Sequence, residues 1–328
     1  MACIVAHPDG GASRRRQARQ AVQRGEADER AIEEVLRSGR VAQVLDQLAS
    51  TGWRFLPATD PTFPALLAAL SDPPLGLFVR GEVPDRPAVA VVGARHCSAY
   101  GREVAEYLGR ESAAGGACVV SGMARGVDGA AHRGALAAGG PTVAVWGAGP
   151  DRVYPPEHAA LAEEIAACGA LVTEYPPGSP PLAAHFPERN RLIAGLARVV
   201  IVVEADERSG ALVTARLALD EGRDVMAVPG SVFSRLSAGP NGLLRAGAAP
   251  VLSAGDVLAV LGLAAPQRGE AEPEFLHHLP AGEASTVDEL AVRSGLPVAR
   301  LLELLLELEL SGWLVRDTDG RYRRSHVR

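Results

Sequence analysis

The chain has no lysine. All 33 of the residues counted as Lys+Arg among its 328 positions are arginine. That excludes a Schiff-base lysine and a P-loop lysine. Any bound anion must be met by guanidinium groups, backbone N–H groups or hydroxyls. Aromatic residues make up only 4% of a chain that is 47% hydrophobic, so aliphatic and alanine packing must build the core. The four cysteines, Cys3, Cys97, Cys118 and Cys168, are far apart and form no CxxC. Neither a zinc site nor a disulfide framework is indicated. No apolar run approaches the roughly 18 residues of a membrane span. The opening MACIVAHPDGG lacks a basic region leading into a long apolar one. These absences point to a reduced, cytoplasmic setting without membrane insertion. The net charge of −6 excludes a globally basic surface that wraps nucleic acid, but permits a local basic groove. H-E-x-x-H and G-x-S-x-G are both missing. No metal-ligand spacing stands out, so no metal is expected.

What is present falls into four stretches. Residues 1–75 form a charged, helix-patterned segment and a proline-marked connector. Apolar positions recur at helical spacing at Ala31, Ile32, Val35 and Leu36, then Val41, Val44, Leu45 and Leu48. The arginines at 14–16 fit a solvated helix face. A strand is predicted at LGLFVRG.

Residues 76–263 change rhythm. Apolar strands at 88–93, 117–122, 141–147, 170–175, 198–205 and 224–230 alternate with helix patterns about every 25 residues, as successive βα crossovers do. The fold class predicted is α/β, a doubly wound and mostly parallel sheet, with ligands beyond the carboxyl ends of its strands. Residues 264–273 read as a linker. Residues 274–328 read as helix, turn, helix and a hairpin at Asp319-Gly320, which is a winged helix.

The strand ends carry a repeated kit. The first gives GARHCSAYG, with Gly93, Arg95 and Ser98. The second gives SGMARGVDGAAH, with Ser121, Gly122 and Arg125. The fourth unit gives HFPERNR, with Phe186, Arg189, Asn190 and Arg191, and the fifth strand leads to Ser209 and Gly210. Neither G-x-G-x-x-G nor Walker A is complete. Arginine, hydroxyl, glycine and free N–H on one edge suit phosphate. Phe186, Tyr100 and Tyr175 are the aromatics available to stack on bases. Asp128 and His132 are four apart on one helix face. An acid–base pair is one reading of them, and a capping aspartate beside a satisfied histidine is the commoner one.

With those residues in view, the chain resembles the DNA-processing protein A (DprA/Smf) family. The matching blocks are AVVGARHCSAYG, SGMARGVDGAAHRGAL, VYPPEHAAL, FPERNRLIAGLARVVIVVEA, SGALVTARLALDEGRDVMAVPG and GPNGLLRAGA, in order over residues 88–250. The resemblance implies an extended Rossmann-like domain that binds single-stranded DNA. It also implies a homodimer that loads the RecA recombinase in natural transformation or related DNA uptake, with no cofactor and no catalysis. By motif position, Arg95, Ser121, Gly122, Phe186, Arg189, Asn190 and Arg191 would line the DNA pocket. Leu243, Leu244 and Val251 would supply the dimer face. Arginine must replace the lysine that members often place near this groove, and the first 50 residues diverge from the family's small helical domain. The competing reading is a nucleotide-processing enzyme, phosphoribohydrolase-like, using the same pocket, although its PGGxGT signature is missing. A third, the winged helix as a duplex-DNA regulator, is disfavoured by its acidic, leucine-rich second helix.

Overall fold

A computed structural model describes residues 37–266, 273–280, 283–317 and 319–325. The arginines at 14–16, the helical spacing at 31–36, Cys3 and most of the expected linker lie outside the described residues. The chain divides into two compact units between Pro266 and Gln267.

In the first unit, α1 (Arg40–Ser50) leads to β1 (Trp53–Pro57), α2 (Ala65–Ala68) and β2 (Gly76–Gly81). There follow β3 (Ala88–Val92), α3 (Ala99–Ala114), β4 (Cys118–Ser121), α4 (Val127–Ala137), β5 (Thr142–Val145), α5 (Ala159–Cys168) and β6 (Ala170–Thr173). The unit closes with α6 (His185–Leu196), β7 (Val199–Val202), α7 (Gly210–Asp220), β8 (Asp224–Ala227), α8 (Ala238–Arg245), β9 (Ala249–Pro250) and α9 (Ala254–Leu261).

Nine strands form one sheet in the order β1-β2-β6-β5-β4-β3-β7-β8-β9. Seven of them, from β6 to β9, are parallel. β2 is antiparallel to β6 and β1 to β2. Residues 40–75 therefore do not stand apart, because β1 extends the sheet of the following residues. The sequence pattern missed β1, whose burial does not alternate cleanly, and the two-residue β9.

The β-branched runs form strands because both faces of the sheet are covered. Side chains alternate between those faces. Ala90 and Val92 of β3 pack with Leu192, Ile193 and Ala215 on the side of α6 and α7. Val89 and Val91 pack with Ala105, Leu108, Ala131 and Leu258 on the side of α3, α4 and α9. Each fully buried Val or Leu contributes about 1.5–3 kcal/mol. With few aromatics, that sum is reached by bringing backbones close. β3 sits where the winding reverses, since the chain leaves it for β4 on one side while β7 flanks the other. The crevice outside the carboxyl ends of β3 and β7 is thus the topological switch point.

The second unit holds α10 (Val287–Ser294), α11 (Val298–Leu310), and the hairpin of β10 (Leu314–Arg316) with β11 (Tyr322–Arg324). Thr286 and Glu289 form a capping box at the start of α10, and Gly295 ends it in the left-handed region. Leu290, Leu301, Leu305, Leu308, Trp313 and Tyr322 make its core. This is the winged helix that the sequence predicted.

Helices α3 and α4 approach through glycine. A methyl group on Gly134 would meet the Glu106 carbonyl oxygen, and one on Gly109 the Ala131 carbonyl oxygen. On an exposed helix, glycine-to-alanine stabilises by about 1 kcal/mol. Here overpacking reverses the sign, so Gly134→Ala is expected to lower stability by about 1–3 kcal/mol. The urea midpoint measures this, and a midpoint equal to or above wild type would contradict the close approach.

Candidate nucleic-acid interface

A cavity of about 310 Å³ opens at the switch point. Gly93 after β3, Ala124 after β4, the first turns of α6, and Ser209 to Ala211 at the start of α7 surround it. Two helices thus enter the crevice by their N-terminal turns, where free N–H groups favour anions. Ser209 caps α7, its hydroxyl accepting from the Ala211 N–H at 3.3 Å. A methyl on Gly210 would meet nothing within 4 Å, so this turn is open to the cavity.

The floor holds two buried charged groups, Arg189 and Asp128, near enough to act on each other electrostatically. Arg189 lies one turn into α6 and is only 4% exposed. Its Nη1 donates to the carbonyl oxygens of Gly122, at 2.7 Å, and of Val145. The buried Asp128 carboxylate accepts from the N–H groups of Gly122 (3.2 Å) and Ala124 (3.4 Å). Burial raises the Asp128 carboxyl above its ordinary range, and the neighbouring Arg189 charge opposes that rise. Burial likewise lowers Arg189 to about 10, opposed by Asp128, so the guanidinium stays protonated at neutral pH. Gly122 is required here, because a methyl at that position would lie 2.6 Å from the guanidinium.

The rim is aromatic and cationic. The Arg95 guanidinium lies over the Phe186 ring, 4.9 Å from its centroid, and Tyr154 packs against the same ring at 5.4 Å. Arg95 is exposed and forms no ion pair among the described residues. A narrow cleft beside the cavity is lined by Arg95, Gly122, Ala124, Arg125, Tyr154, Pro155 and Phe186. Arg125 reaches it while paired with Glu157, both groups being about half exposed.

The structure divides the expected residues. Gly93, Arg95, Phe186, Arg189, Asn190, Ser209 and Gly210 line the cavity. Gly122 and Arg125 line the adjoining cleft. Asn190 ties α6 to α7 by donating from Nδ2 to the Gly210 carbonyl at 3.3 Å. Ser98, Ser121 and Arg191 line neither opening. Ser98 caps α3, and its hydroxyl donates to the buried Glu204 carboxylate at 2.6 Å while its N–H donates to the same group at 2.8 Å. The anion at the start of α3 is therefore the protein's own. Ser121 is fully buried and donates to the Val91 carbonyl at 2.7 Å. Arg191 points away, to Glu174 at 2.5 Å and to the Asp72 carbonyl at 2.8 Å.

Of the aromatics considered, Tyr175 is buried, donating to the His185 carbonyl and meeting Glu188. Tyr100 donates to the Pro229 carbonyl outside the cavity lining. Asp128 and His132 do not face one another. His132 meets the Thr142 hydroxyl at 2.7 Å, and that hydroxyl donates onward to the Val119 carbonyl. Nδ1 of His132 is therefore the donor, and the ring is neutral; burial lowers its pKa to about 3. Sequence reasoning missed Tyr154, Ala183, Thr214 and the cavity-facing role of Asp128. Tyr154 left one signal, an aromatic before a double proline past the β5 strand end, parallel to Phe186 before Pro187. No cluster of metal-binding side chains occurs among the described residues.

The family model "DNA recombination-mediator protein A" matches residues 54–262, and "DprA winged helix domain" matches residues 262–320. The chain is 40% identical over 295 residues to Protein Smf of Escherichia coli, covering 83% of this chain and 79% of that one. It is 44% identical over 313 residues to a putative DNA processing protein DprA of Mycobacterium tuberculosis, covering 87% and 80%. Among solved structures it is similar to DNA processing protein A of Streptococcus pneumoniae, with a TM-score of 0.65 and 36% identity over 77% of this chain and 95% of that one. It is also similar to the Helicobacter pylori protein, with a TM-score of 0.57 and 31% identity over 64% and 95%; that structure is described for its single-stranded-DNA binding mode.

Arg189→Ala would leave Asp128 buried without its counter-charge. The expected cost is about 3–5 kcal/mol, read from urea unfolding. A loss below about 1 kcal/mol would mean that Arg189 is an ordinary surface cation.

Proposed function

The chain belongs to the DNA recombination-mediator protein A family, and from that premise we propose that it binds single-stranded DNA in the switch-point crevice. It passes that strand to the RecA recombinase during natural transformation or related DNA processing. The observation that carries this reading is the Arg95 guanidinium over the Phe186 ring at the mouth of the cavity, with Tyr154 on the same ring. An arginine seated over an aromatic ring still offers N–H donors to a phosphate. The rings offer faces to unpaired bases, which duplex DNA keeps stacked. The open start of α7 adds backbone donors and a positive end. Arg189 supports the floor and does not reach outward. A structure of the Helicobacter pylori relative is described for its single-stranded-DNA binding mode, which supports single-stranded DNA as the ligand class.

The protein acts by binding, without a catalytic step. Asp128 and His132, the groups hydrolysis of a nucleotide would draw on, are engaged by backbone N–H groups and by Thr142. No described helix is long and apolar enough to cross a membrane. The active form is a homodimer. Val251 is buried in the core on one face of the sheet and Leu243 packs against the core on the other, which leaves them little to offer a second copy. Val232, Phe233 and Leu252 are instead exposed, Phe233 at 97%. They follow the adjacent strands β8 and β9 at the open edge of the sheet. Sedimentation should find Phe233→Asp shifted towards monomer, and an unchanged mass would move the dimer face elsewhere.

Fluorescence anisotropy with a labelled oligo-dT, against duplex of equal length, tests the crevice. Phe186→Ala should lose about 1–3 kcal/mol of binding. Arg95→Ala should weaken binding and flatten the log–log salt slope by about 0.7. Glu157→Gln frees Arg125 from its ion pair and should tighten binding with a steeper slope. Wild-type affinity in both Arg95→Ala and Phe186→Ala, with melts unchanged, would sink the assignment. Delivery is read separately, as RecA assembly on the oligonucleotide with and without the protein; no acceleration would leave a binder that is not a mediator.

A further inference from the structure

The winged-helix unit contains a helix with two apolar sides, of which the described residues cover only one. α11 sends Leu301, Leu305 and Leu308 into the core of its unit. On another side Val298, Leu302, Leu306 and Leu310 recur at every fourth residue. They form a continuous i±4n ridge whose members are 46–79% exposed. Single exposed leucines need no explanation. Four in one ridge make a contiguous apolar face of the kind that marks an interface. A helix apolar around most of its circumference is normally buried on both sides.

Charge narrows what covers the ridge. α11 carries Glu303, Glu307 and Glu309 against Arg300 alone, and Arg300 is already paired with Glu303 at 2.8 Å. Glu307 and Glu309 form no ion pair among the described residues. A nucleic-acid backbone would be repelled by this helix, although α11 sits second in the helix-turn-helix, where a DNA reader places its recognition helix. A second α11 would set one acidic border against another. The complement is apolar along its centre and basic along its edges.

We infer that the outer face of α11 docks an amphipathic helix of a partner protein whose apolar ridge is flanked by arginine or lysine. The leucine ridge supplies anchors at helical spacing. The glutamates select the partner and its orientation. This surface is independent of the DNA crevice, and each can fail without the other.

The test uses the full chain and two labelled synthetic helices of about four turns, with leucine at every fourth position and flanks of arginine in one and glutamate in the other. Wild type should bind the arginine helix at least about tenfold more tightly than its glutamate twin. Leu302→Asp/Leu306→Asp should lose that binding about tenfold or more while keeping its oligo-dT affinity and its melt. Should that variant fail to fold, Glu303→Gln/Glu307→Gln keeps the ridge and should lose the preference between the two helices. Equal binding of both helices by wild type, or binding untouched by either double variant, overturns the inference. So does a higher oligomer that disappears in Leu302→Asp/Leu306→Asp, which makes a second copy the occupant. Duplex-DNA affinity lost in that same variant would make the face a nucleic-acid reader and overturns it as well.

Discussion

The crevice depends on one guanidinium buried where three elements end. Arg189 reaches from α6 to the carbonyl oxygens of Gly122, just past β4, and of Val145, the last residue of β5. Asp128 of α4 opposes the cost of burying that charge and gathers the N–H groups of Gly122 and Ala124. A desolvated cation survives only with excellent geometry and a counter-charge. Wherever it does, everything bonded to it is held in place. The start of α6 is therefore fixed against the sheet. With it come Phe186, one residue into the helix, and Asn190, which fastens α7 across the opening. The aromatic rim is pre-organised by a residue that does not itself reach the surface.

The absence of lysine gives this arrangement its character. A planar guanidinium bonds two carbonyl oxygens at once and lies flat on a ring, whereas an ammonium group is a compact, strongly hydrated charge. Both guanidinium groups stand over the Phe186 ring, Arg95 at 4.9 Å and Arg189 at 5.9 Å from its centroid, and Arg189 also bonds two carbonyl oxygens. One is a wet cation on the outer surface and the other a dry strut beneath. Two of the few aromatics, Phe186 and Tyr154, stand at this rim, while alanine and glycine let the helices close on the sheet.

Much of the fold was legible in the sequence because it rests on local pattern. Six β-branched runs at regular spacing announced the parallel array, and an Asp-Gly hairpin after two helices announced the winged unit. The crevice was legible as an edge, since parallel strands deliver all their ends to one side. What failed was direction. Arg189 and Arg191 looked like a pair, yet residues two apart on a helix point roughly 200° apart, so one enters the sheet ends and the other binds Glu174 and Asp72. Ser98 and Ser121 looked free because their acceptors are distant in sequence: Glu204 lies 106 residues from Ser98, and Val91 lies on the neighbouring strand. Val251 was expected at a dimer face, and nothing local shows that the chain after β9 turns it into the core.

Glu204 gives the fold one further property. In a doubly wound sheet the start of the first crossover helix is where a dinucleotide would set its pyrophosphate. Here that seat holds a carboxylate that is 3% exposed and bonded through both its oxygens to Ser98, with no room for a side chain at Gly101. A second anion would have to displace a buried one. The berth that a dinucleotide would use in this fold is thus filled by a side chain of the protein itself.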